Sequence, residues 1–444
     1  MEAKDKKWVL DEARKHRVNF VCLWFTDILG FLKSFAITLE ELETALEDGA
    51  GFDGSSIEGF ARIEESDMVA MPEPSTFCII PQETEKFGGV ARIFCDVLQP
   101  DGTHYEEDPR YVLKRTLKRA ADLGYTFNVG PELEYFYFKS SQIPPQGLDE
   151  GGYFDLVPQD LASDFRKETV FALKKMGIEV ECSHHEVAPS QHEIDLRFTD
   201  ALTMADHTMT SRLVVKEVAL KNNIYATFMP KPVYGICGNG MHIHQSLFKG
   251  NANAFFDPDN EYYLSEIAKR YIAGLLRHIR EFTLVLNQWV NSYKRLVPGF
   301  EAPVYVSWAL RNRSDLVRVP TYKPGKEKAT RVELRSPDPT CNPYLAYTVM
   351  LAAGLEGIEK KYDFVPPVKE NVYEMSDKQR EKMGIGSLPE NLWEAIKIAE
   401  RSEWLKKTLG KHLFYKLIEN KKMEWERYRS QVTSYELEEY LPRL

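Results

Sequence analysis

Little in this 444-residue chain points outside a cell or toward a nucleic acid. Its six cysteines (Cys22, Cys78, Cys95, Cys182, Cys237 and Cys341) show no Cys-x-x-Cys spacing, which argues against a disulfide framework and against a structural zinc site. No apolar run approaches the roughly 20 residues that span a bilayer. The first residues, Met1-Glu2-Ala3-Lys4-Asp5-Lys6-Lys7, run straight into charges instead of the apolar stretch of a signal peptide. These absences together lead us to expect a reducing, cytoplasmic location.

A basic excess is missing as well. A net charge of -10 and a pI near 5.6 leave no general positive surface for nucleic acid or anionic membrane. There is no Gly-x-x-x-x-Gly-Lys-Ser/Thr loop, and no Gly-x-Gly-x-x-Gly opens a helix after a strand. Any nucleotide site is therefore not of the P-loop, Rossmann or kinase kind. No internal repeat or low-complexity segment is apparent.

What is present is an ordinary globular composition, 43 % apolar and 28 % charged, in a chain long enough for two or three domains. Up to about Asp96, β-type runs such as Val18 to Phe25 and Val90 to Cys95 accompany one helical stretch near Leu39 to Leu46, as in a small α+β domain. A turn-rich segment from Gln99 follows. In it Asp108-Pro109 reads as an N-cap and first helical residue, and Gly124 as the end of that helix. The domain boundary is expected there, giving domains 1–103 and 104–444. Further helices are expected at Leu161 to Met176, Ala201 to Lys221 and Ser265 to Leu286, and Ser376 to Gln379 has capping-box spacing in a mainly helical last ninety residues.

Chemistry is concentrated in short motifs with charges on alternating residues: Glu132-Leu133-Glu134, His242-Ile243-His244 and Arg331-Val332-Glu333-Leu334-Arg335. Side chains two apart on a strand share a face, so such strands would wall a polar cavity with acids and imidazoles while Leu, Val and Ile face the core. Glu132, Glu134, Glu186, Glu193, His242 and Glu333 are the candidate metal ligands, and five carboxylates with one imidazole suit Mg²⁺ or Mn²⁺ better than Zn²⁺. Glu186 and Glu193 reach one cavity only if the chain reverses at Pro189-Ser190; otherwise they are exposed acids on a surface turn.

Six arginines (Arg295, Arg311, Arg313, Arg318, Arg331 and Arg335) crowd about forty residues, next to a Pro-, Gly- and Lys-rich loop from Pro320 to Lys328 that is expected to be mobile. Guanidinium forks suit carboxylate and phosphate oxygens, and part of this set reads equally as a salt-bridged surface. Gly235-Ile236-Cys237-Gly238-Asn239-Gly240-Met241-His242 is a glycine-rich bend that lets a ligand approach the backbone.

In order and spacing these segments resemble the type I glutamine synthetases over essentially the whole chain. Phe52-Asp53-Gly54-Ser55-Ser56 with Glu64-Glu65-Ser66-Asp67, the run from Asn291 to Pro303, Asn312-Arg313-Ser314, Pro337-Asp338-Pro339 and Asn342-Pro343-Tyr344 carry the resemblance. It implies an α+β architecture: a small N-terminal β-grasp domain and a large C-terminal catalytic αβ domain whose curved antiparallel sheet forms the active-site wall. It also implies two stacked hexameric rings with active sites between neighbouring subunits. The implied reaction is ATP-dependent ligation of ammonia to L-glutamate through γ-glutamyl phosphate, with two or more Mg²⁺ or Mn²⁺ ions per site.

By motif position, Glu134, Glu186 and Glu193 would hold one ion and Glu132, His242 and Glu333 a second. Arg313 would neutralise charge during transfer, and Arg295 and Arg335 would hold the glutamate carboxylates. Phe198, His244, Ser246, Arg313, Arg318, Lys328 and Arg331 would bind ATP. Asp53 of a neighbouring subunit, with Tyr153, Ser56, Glu186 and Glu301, resembles the ammonium pocket, and Glu301 would also close a flap. Asp53, Glu301 and Arg313 are thus the expected catalytic residues.

Where the family usually has Asn-Gly-Ser-Gly, this chain has Cys237-Gly238-Asn239-Gly240. Gly238 and Asn239 are still expected at the substrate, with Asn239 supplying the missing amide or the substrate differing; a γ-glutamyl ligase using another amine or acid is the alternative reading, and a silent scaffold a third. Arg62 matches the arginine that relays glutamine feedback in the short subgroup, while Tyr373 lacks the approach sequence of the adenylylated one. Feedback inhibition without adenylylation is expected. The C-terminal tail from Ser430 to Tyr440 is a candidate docking segment for a regulatory protein or a subunit-packing element.

Overall fold

The structure, a computed structural model, describes residues 4–57, 67–81, 88–310 and 315–444. Arg62, Glu64-Glu65-Ser66, Arg311 and Asn312-Arg313-Ser314 lie outside the described residues, as does the side chain of Ser56.

Among the described residues the first hundred form a six-stranded sheet from β1 (Val18–Thr26), β2 (Leu32–Thr38), β3 (Ala50–Asp53), β4 (Asp67–Pro72), β5 (Cys78–Ile79) and β6 (Gly89–Leu98). Its order is β2-β1-β6-β4-β3, with β5 also on β6, and the central β1–β6 pair is parallel. One face is covered by the helices Lys6–Lys15 and Leu42–Asp48 through Val9, Ala13, Leu42 and Leu46. The other face sends Trp24, Val90 and Phe94 into the core of the rest of the chain, together with Val112 and Leu113. Burial on both faces is why β6 has apolar residues at both alternations, with Arg92 and Asp96 as its charged exceptions.

The helix Pro109–Asp122 begins as expected, with the Asp108 carboxylate accepting from Arg110 N–H at 3.0 Å and Gly124 in the left-handed region at φ 83°. Two expectations are corrected in detail. The stretch from Leu39 is a 3-10 turn, Leu39–Glu41, leading into Leu42–Asp48, and the helix expected at Leu161 to Met176 spans Ser163–Lys175. The Ser376–Gln379 capping box is present, and Thr433 forms a second with Glu436.

The larger part is built on a ten-stranded sheet: β7 (Thr126–Phe138), β8 (Val180–His185), β9 (Gln191–Leu196), β10 (Thr199–Asp200), β11 (Tyr225–Thr227), β12 (Met241–Lys249), β13 (Ala252–Asn253), β14 (Trp308–Ala309), β15 (Val317–Arg318) and β16 (Val332–Leu334). The path runs β14-β15-β16-β12-β7-β9-β8, and β10 and β11 also pair with the long β7. The sheet is antiparallel except for its β14–β15 edge. Its apolar face packs into one core with the helices Ala201–Lys221, Glu266–Leu286 and Pro343–Glu359. No helix among the described residues is long and apolar enough to cross a membrane.

Candidate active site

The strand register alone assembles the site. Glu132 and Glu134 alternate along β7 with the buried Leu133 and Tyr135, so the core side chains anchor one face and the carboxylates share the other. Antiparallel pairing then sets Glu134 opposite Glu193 and Glu132 opposite Asp195 on β9, and His242 of β12 opposite Glu132. One strand further out, His184 of β8 stands opposite Glu193, and Glu333 of β16 is flanked by His244 and Arg318. The chain reverses between β8 and β9 with Ser190 at φ 63°, which brings Glu186 to the same cavity as Glu193.

Like charges directly opposite each other on neighbouring strands repel, and burial deepens the cost. Burial lifts Glu134 to about 7, with Arg295 and the Gly240 N–H opposing only in part. Burial and then the charges of Glu134 and Asp195 hold Glu193 well above the usual carboxylate range. Burial and Glu132 push Asp195 up to about 6. Glu132 behaves oppositely: against the same burial, hydrogen bonds from His242 Nδ1 at 3.0 Å and His244 Nε2 at 2.6 Å hold it well below the ordinary value. Arg331 Nε donates to His244 Nδ1 at 3.1 Å, which fixes the ring proton on Nε2 facing Glu132.

Among the described residues four groups of donors have their ligating atoms within 4.8 Å of one another: Asp149, His185 and His192; Cys182, His184 and Asp195; and, with two carboxylates each, Glu132, His242 and Glu333, and His184, Glu186 and Glu193. The last two concern the expected ions, taken in that order. The first is the trio expected for one ion. In the second, His184 stands where Glu134 was expected, its Nε2 3.2 Å from Glu193. Glu134 is beside it but engaged, accepting from Gly240 N at 2.8 Å and Gln191 Nε2 at 3.0 Å. Carboxylate oxygens with imidazole nitrogens are a donor set for divalent cations, and a cation among these opposed acids would offset their repulsion, so these residues fit divalent ions.

Guanidinia surround the wall. Arg335 Nη1 donates to Glu333 Oε1 at 2.7 Å, and Arg318 Nε to the other oxygen. Arg295 donates to the carbonyls of Ser336, Pro337 and Arg335, which hold its fork over the bend. A Cβ on Gly240 would lie 2.5 Å from Arg295 Nη2 and 3.2 Å from Glu134 Oε1, so any larger residue there would displace the Arg295 fork from its present position.

Two cavities meet at this wall. One, of about 330 Å³, contains the metal-type donors other than the enclosed Glu333, with Tyr153, Cys237, Gly238, Arg295, Glu301, Arg318 and Arg335. The other, of about 290 Å³, is lined by Phe198, His244, Ser246, Lys328 and Arg331. Glu132 and Asp195 line both, so whatever occupies the two cavities meets at the carboxylates. Arg318, expected with the nucleotide, lines the first cavity.

Several expected residues are elsewhere. Asn239 is fully buried, its amide donating to Met229 O and accepting from Gln191, and it lines neither cavity. Cys237 takes the place at the cavity, its thiol pushed up to about 11 by burial and therefore neutral. Asp53, which accepts from Ser55, is exposed at the end of β3 and lines neither cavity of its own chain. Glu301 is exposed at the mouth with φ 57°.

Sequence reasoning missed His184 and Asp195. The signal was the same alternation that found the others, since Asp195 is two residues from Glu193 and His184 two from Glu186. It also missed Asp149, fully enclosed, which accepts from His185 Nε2 at 3.0 Å, Ser190 N at 2.9 Å and Leu161 N at 3.1 Å. This carboxylate ties the loop carrying Tyr153 to the turn carrying Glu186.

Comparison with known proteins agrees with this geometry. Residues 17–100 match the family described as glutamine synthetase, beta-Grasp domain, and residues 106–440 that described as glutamine synthetase, catalytic domain. The chain is 52 % identical to the glutamine synthetase of Mycolicibacterium smegmatis over 99 % of both chains, and 52 % identical to that of Methanosarcina mazei over 99 % of this chain and 98 % of the relative. Among solved structures it is similar to a GmaS/ADP complex (TM-score 0.87, 31 % identity, 98 % of this chain and 99 % of that one) and to the cryo-EM structure of Plasmodium falciparum glutamine synthetase (TM-score 0.87, 26 % identity, 98 % of each).

Proposed function

This chain belongs to the glutamine synthetase family and is a glutamate-ammonia ligase, and from that premise we propose how its residues divide the work. The single observation that carries the assignment is the acid-lined junction of the two cavities, where a nucleotide on one side and an amino acid on the other bring phosphoryl donor and carboxylate acceptor together.

ATP occupies the cavity of Phe198, His244, Ser246, Lys328 and Arg331, its base against Phe198 and its phosphates toward Glu132. Glutamate occupies the other, its carboxylates held by Arg295 and Arg335 and its backbone side against Gly238. Asn239 acts from behind, by fixing the bend. Glu132, His242 and Glu333 would hold one divalent ion, Mg²⁺ or Mn²⁺, and Glu134, Glu186 and Glu193 with His184 a second, which would supply charge neutralisation at the phosphates. Arg313, with Arg335 and Arg318, stabilises the charge that spreads over the transferring group.

The γ-carboxylate of glutamate attacks the terminal phosphorus of ATP, the bond to the bridging oxygen of ADP breaks, and γ-glutamyl phosphate forms. Ammonium enters a pocket of Tyr153, Glu186 and Glu301, completed by Asp53 and Ser56 of a neighbouring subunit. Asp53 takes its proton, and ammonia displaces phosphate from the acyl carbon. Closure of the segment bearing Glu301 excludes water from the acyl phosphate. The position of Asp53, outside both cavities of its own chain, supports this division between subunits; we propose two stacked hexameric rings as the assembly.

We further place the protein in the cytoplasm, set the domain boundary at residues 103 and 104, and assign it to the short, feedback-inhibited subgroup, with Arg62 relaying glutamine inhibition, Tyr373 unmodified and the C-terminal tail open to a regulator. A second reading, ligation of a different amine or acid, is favoured only by Cys237 at the cavity wall; a panel of acceptors separates it. The decisive experiment uses glutamate labelled with ¹⁸O in the γ-carboxylate. Attack by that carboxylate sends one labelled oxygen into the released phosphate, and unlabelled phosphate would refute the route.

A further inference from the structure

A third cavity, of about 540 Å³ and sharing no lining residue with the two at the carboxylate wall, lies at the seam between the six-stranded sheet and the helices behind the large one. On the small-sheet side it is lined by the turn Pro74–Thr76, Cys78 and Arg92 of β6. On the other side it meets Lys175 at the end of Ser163–Lys175, and Thr203, Asp206 and His207 in the first turns of Ala201–Lys221.

Its ionisable groups do not balance. Four cations, Lys4, Arg92, Arg110 and Lys175, line it with two carboxylates, Glu73 and Asp206. Both carboxylates are already taken. Asp206 accepts from Arg110 Nε and Nη2 at 3.2 Å each and from Tyr344 Oη at 2.6 Å, and Glu73 pairs with Lys114 at 3.3 Å and accepts from Ser75. Arg110 is further neutralised by Asp96. Arg92, Lys175 and Lys4 have no carboxylate partner among the described residues. His207 is held neutral, since burial and then Arg92 lower it to about 4.

Arg92 is the decisive group because it is only 4 % exposed. Its Nη1 donates to Thr76 O, its guanidinium lies 4.8 Å from the ring centre of Phe94 and 5.5 Å from that of Trp24, and its Nε has no hydrogen-bond partner. A buried guanidinium with no carboxylate in contact among the described residues is costly, and the more distant charge of Asp206 and the ring faces offset only part of that cost. Lys175 and Lys4, both exposed, stand at the mouth of the same cavity. Together the three cations match a small ligand of two negative charges, and guanidinium is the fork that binds its oxygens in pairs.

We propose that this seam cavity is a binding site for a small dianion, a phosphate or a short dicarboxylate, held by Arg92 with Lys175 and Lys4. Such a ligand bridges the small sheet, through Arg92, to the catalytic part, through Lys175. The site is independent of the catalytic assignments above, since none of its residues lines either cavity at the carboxylate wall.

The test is calorimetric titration of the full-length protein with inorganic phosphate and, separately, with succinate. We expect one saturable event per chain for at least one of them, weakened about tenfold or more in Arg92→Met and in Lys175→Met. Phosphate alone would mark a tetrahedral site and succinate alone a dicarboxylate site. Lys175→Met alters an exposed residue, so it keeps the test valid should Arg92→Met fail to fold, and it should leave glutamine formation within twofold of the parent. The proposal is overturned if neither probe saturates up to about 10 mM, or if the event persists undiminished in Lys175→Met and in Lys4→Met, which would assign it to the catalytic cavities.

Discussion

The two sheets of this molecule bury ionisable groups by opposite rules. In the six-stranded sheet the buried Asp96 meets Arg110 and Lys114 at 2.5 Å each, so acid faces base. In the ten-stranded sheet Glu134 faces Glu193 and Glu132 faces Asp195. The first arrangement is complete within the chain, and the second is complete only with added cations. A sheet interior that leaves like charges opposed has been shaped by what it binds, at the expense of its own stability. Arg92, a buried cation of the small sheet with no carboxylate in contact among the described residues, is the local exception, and the seam cavity in front of it is where an anion is proposed.

That contrast is broken most strongly by removing one charge of the wall. Glu193→Gln is expected to lower glutamine formation by about 10² to 10³-fold while leaving the thermal midpoint of the metal-free protein unchanged or higher. Steady-state assay and calorimetry read the two effects, and a lower midpoint with activity retained would make Glu193 an ordinary structural residue. The opposite result is expected in the small sheet. Leu23, fully buried in β1, should cost about 2 to 5 kcal/mol of stability as Leu23→Ala, with metal affinity of the folded protein unaltered.

The pH dependence sharpens the same contrast. Glu134, at about 7, and Glu193 titrate above the ordinary glutamate value in the metal-free fold. The native state therefore binds more protons than the unfolded chain between those values, and the stability these groups confer falls as pH rises toward 7. Metal binding needs the ionised forms and strengthens over the same range. The rise in thermal midpoint on adding Mn²⁺ should be larger at pH 8 than at pH 5.5, and an equal or reversed difference would mean that these carboxylates do not meet the ion.

Smaller effects are expected from the supports. Asp149→Asn keeps the size of the clamp and one acceptor oxygen for His185 and Ser190, but removes the negative charge and puts an NH2 donor against Leu161 N. It should raise the KM for ammonium about tenfold or more with little change in thermal midpoint, in the range expected for groups that orient ligands. Cys237→Asn should change the KM for glutamate by less than about tenfold, the scale of a single hydrogen bond.

Much of the site was legible because alternation is a local property. Glu132, Glu134, His242 and Glu333 announce a charged strand face within three or five residues, and the wall is built of them. The same rule extends to Asp195 and His184, which were passed over because the segment from His184 to Glu193 reads as a turn until the β8–β9 pairing is known. Register between strands is set by packing across the core, so the facing of Glu134 with Glu193 is not written in either segment. The Asp149 clamp joins residues 36 apart on a loop and a strand, and Arg92 is one arginine in an apolar run. Neither has a local pattern. The resemblance, in turn, led to Asn239 at the substrate, where its amide is instead taken up by Gln191 and Met229.

The central claim is that the acid wall is a site for two divalent ions. It is tested most directly by counting Mn²⁺ bound per chain in the absence of nucleotide, from the electron paramagnetic resonance signal of the free ion, in the parent protein and in Glu333→Gln. Two ions per chain, with one lost in the variant, is the predicted result. One or none in the parent, or two retained in the variant, would contradict it.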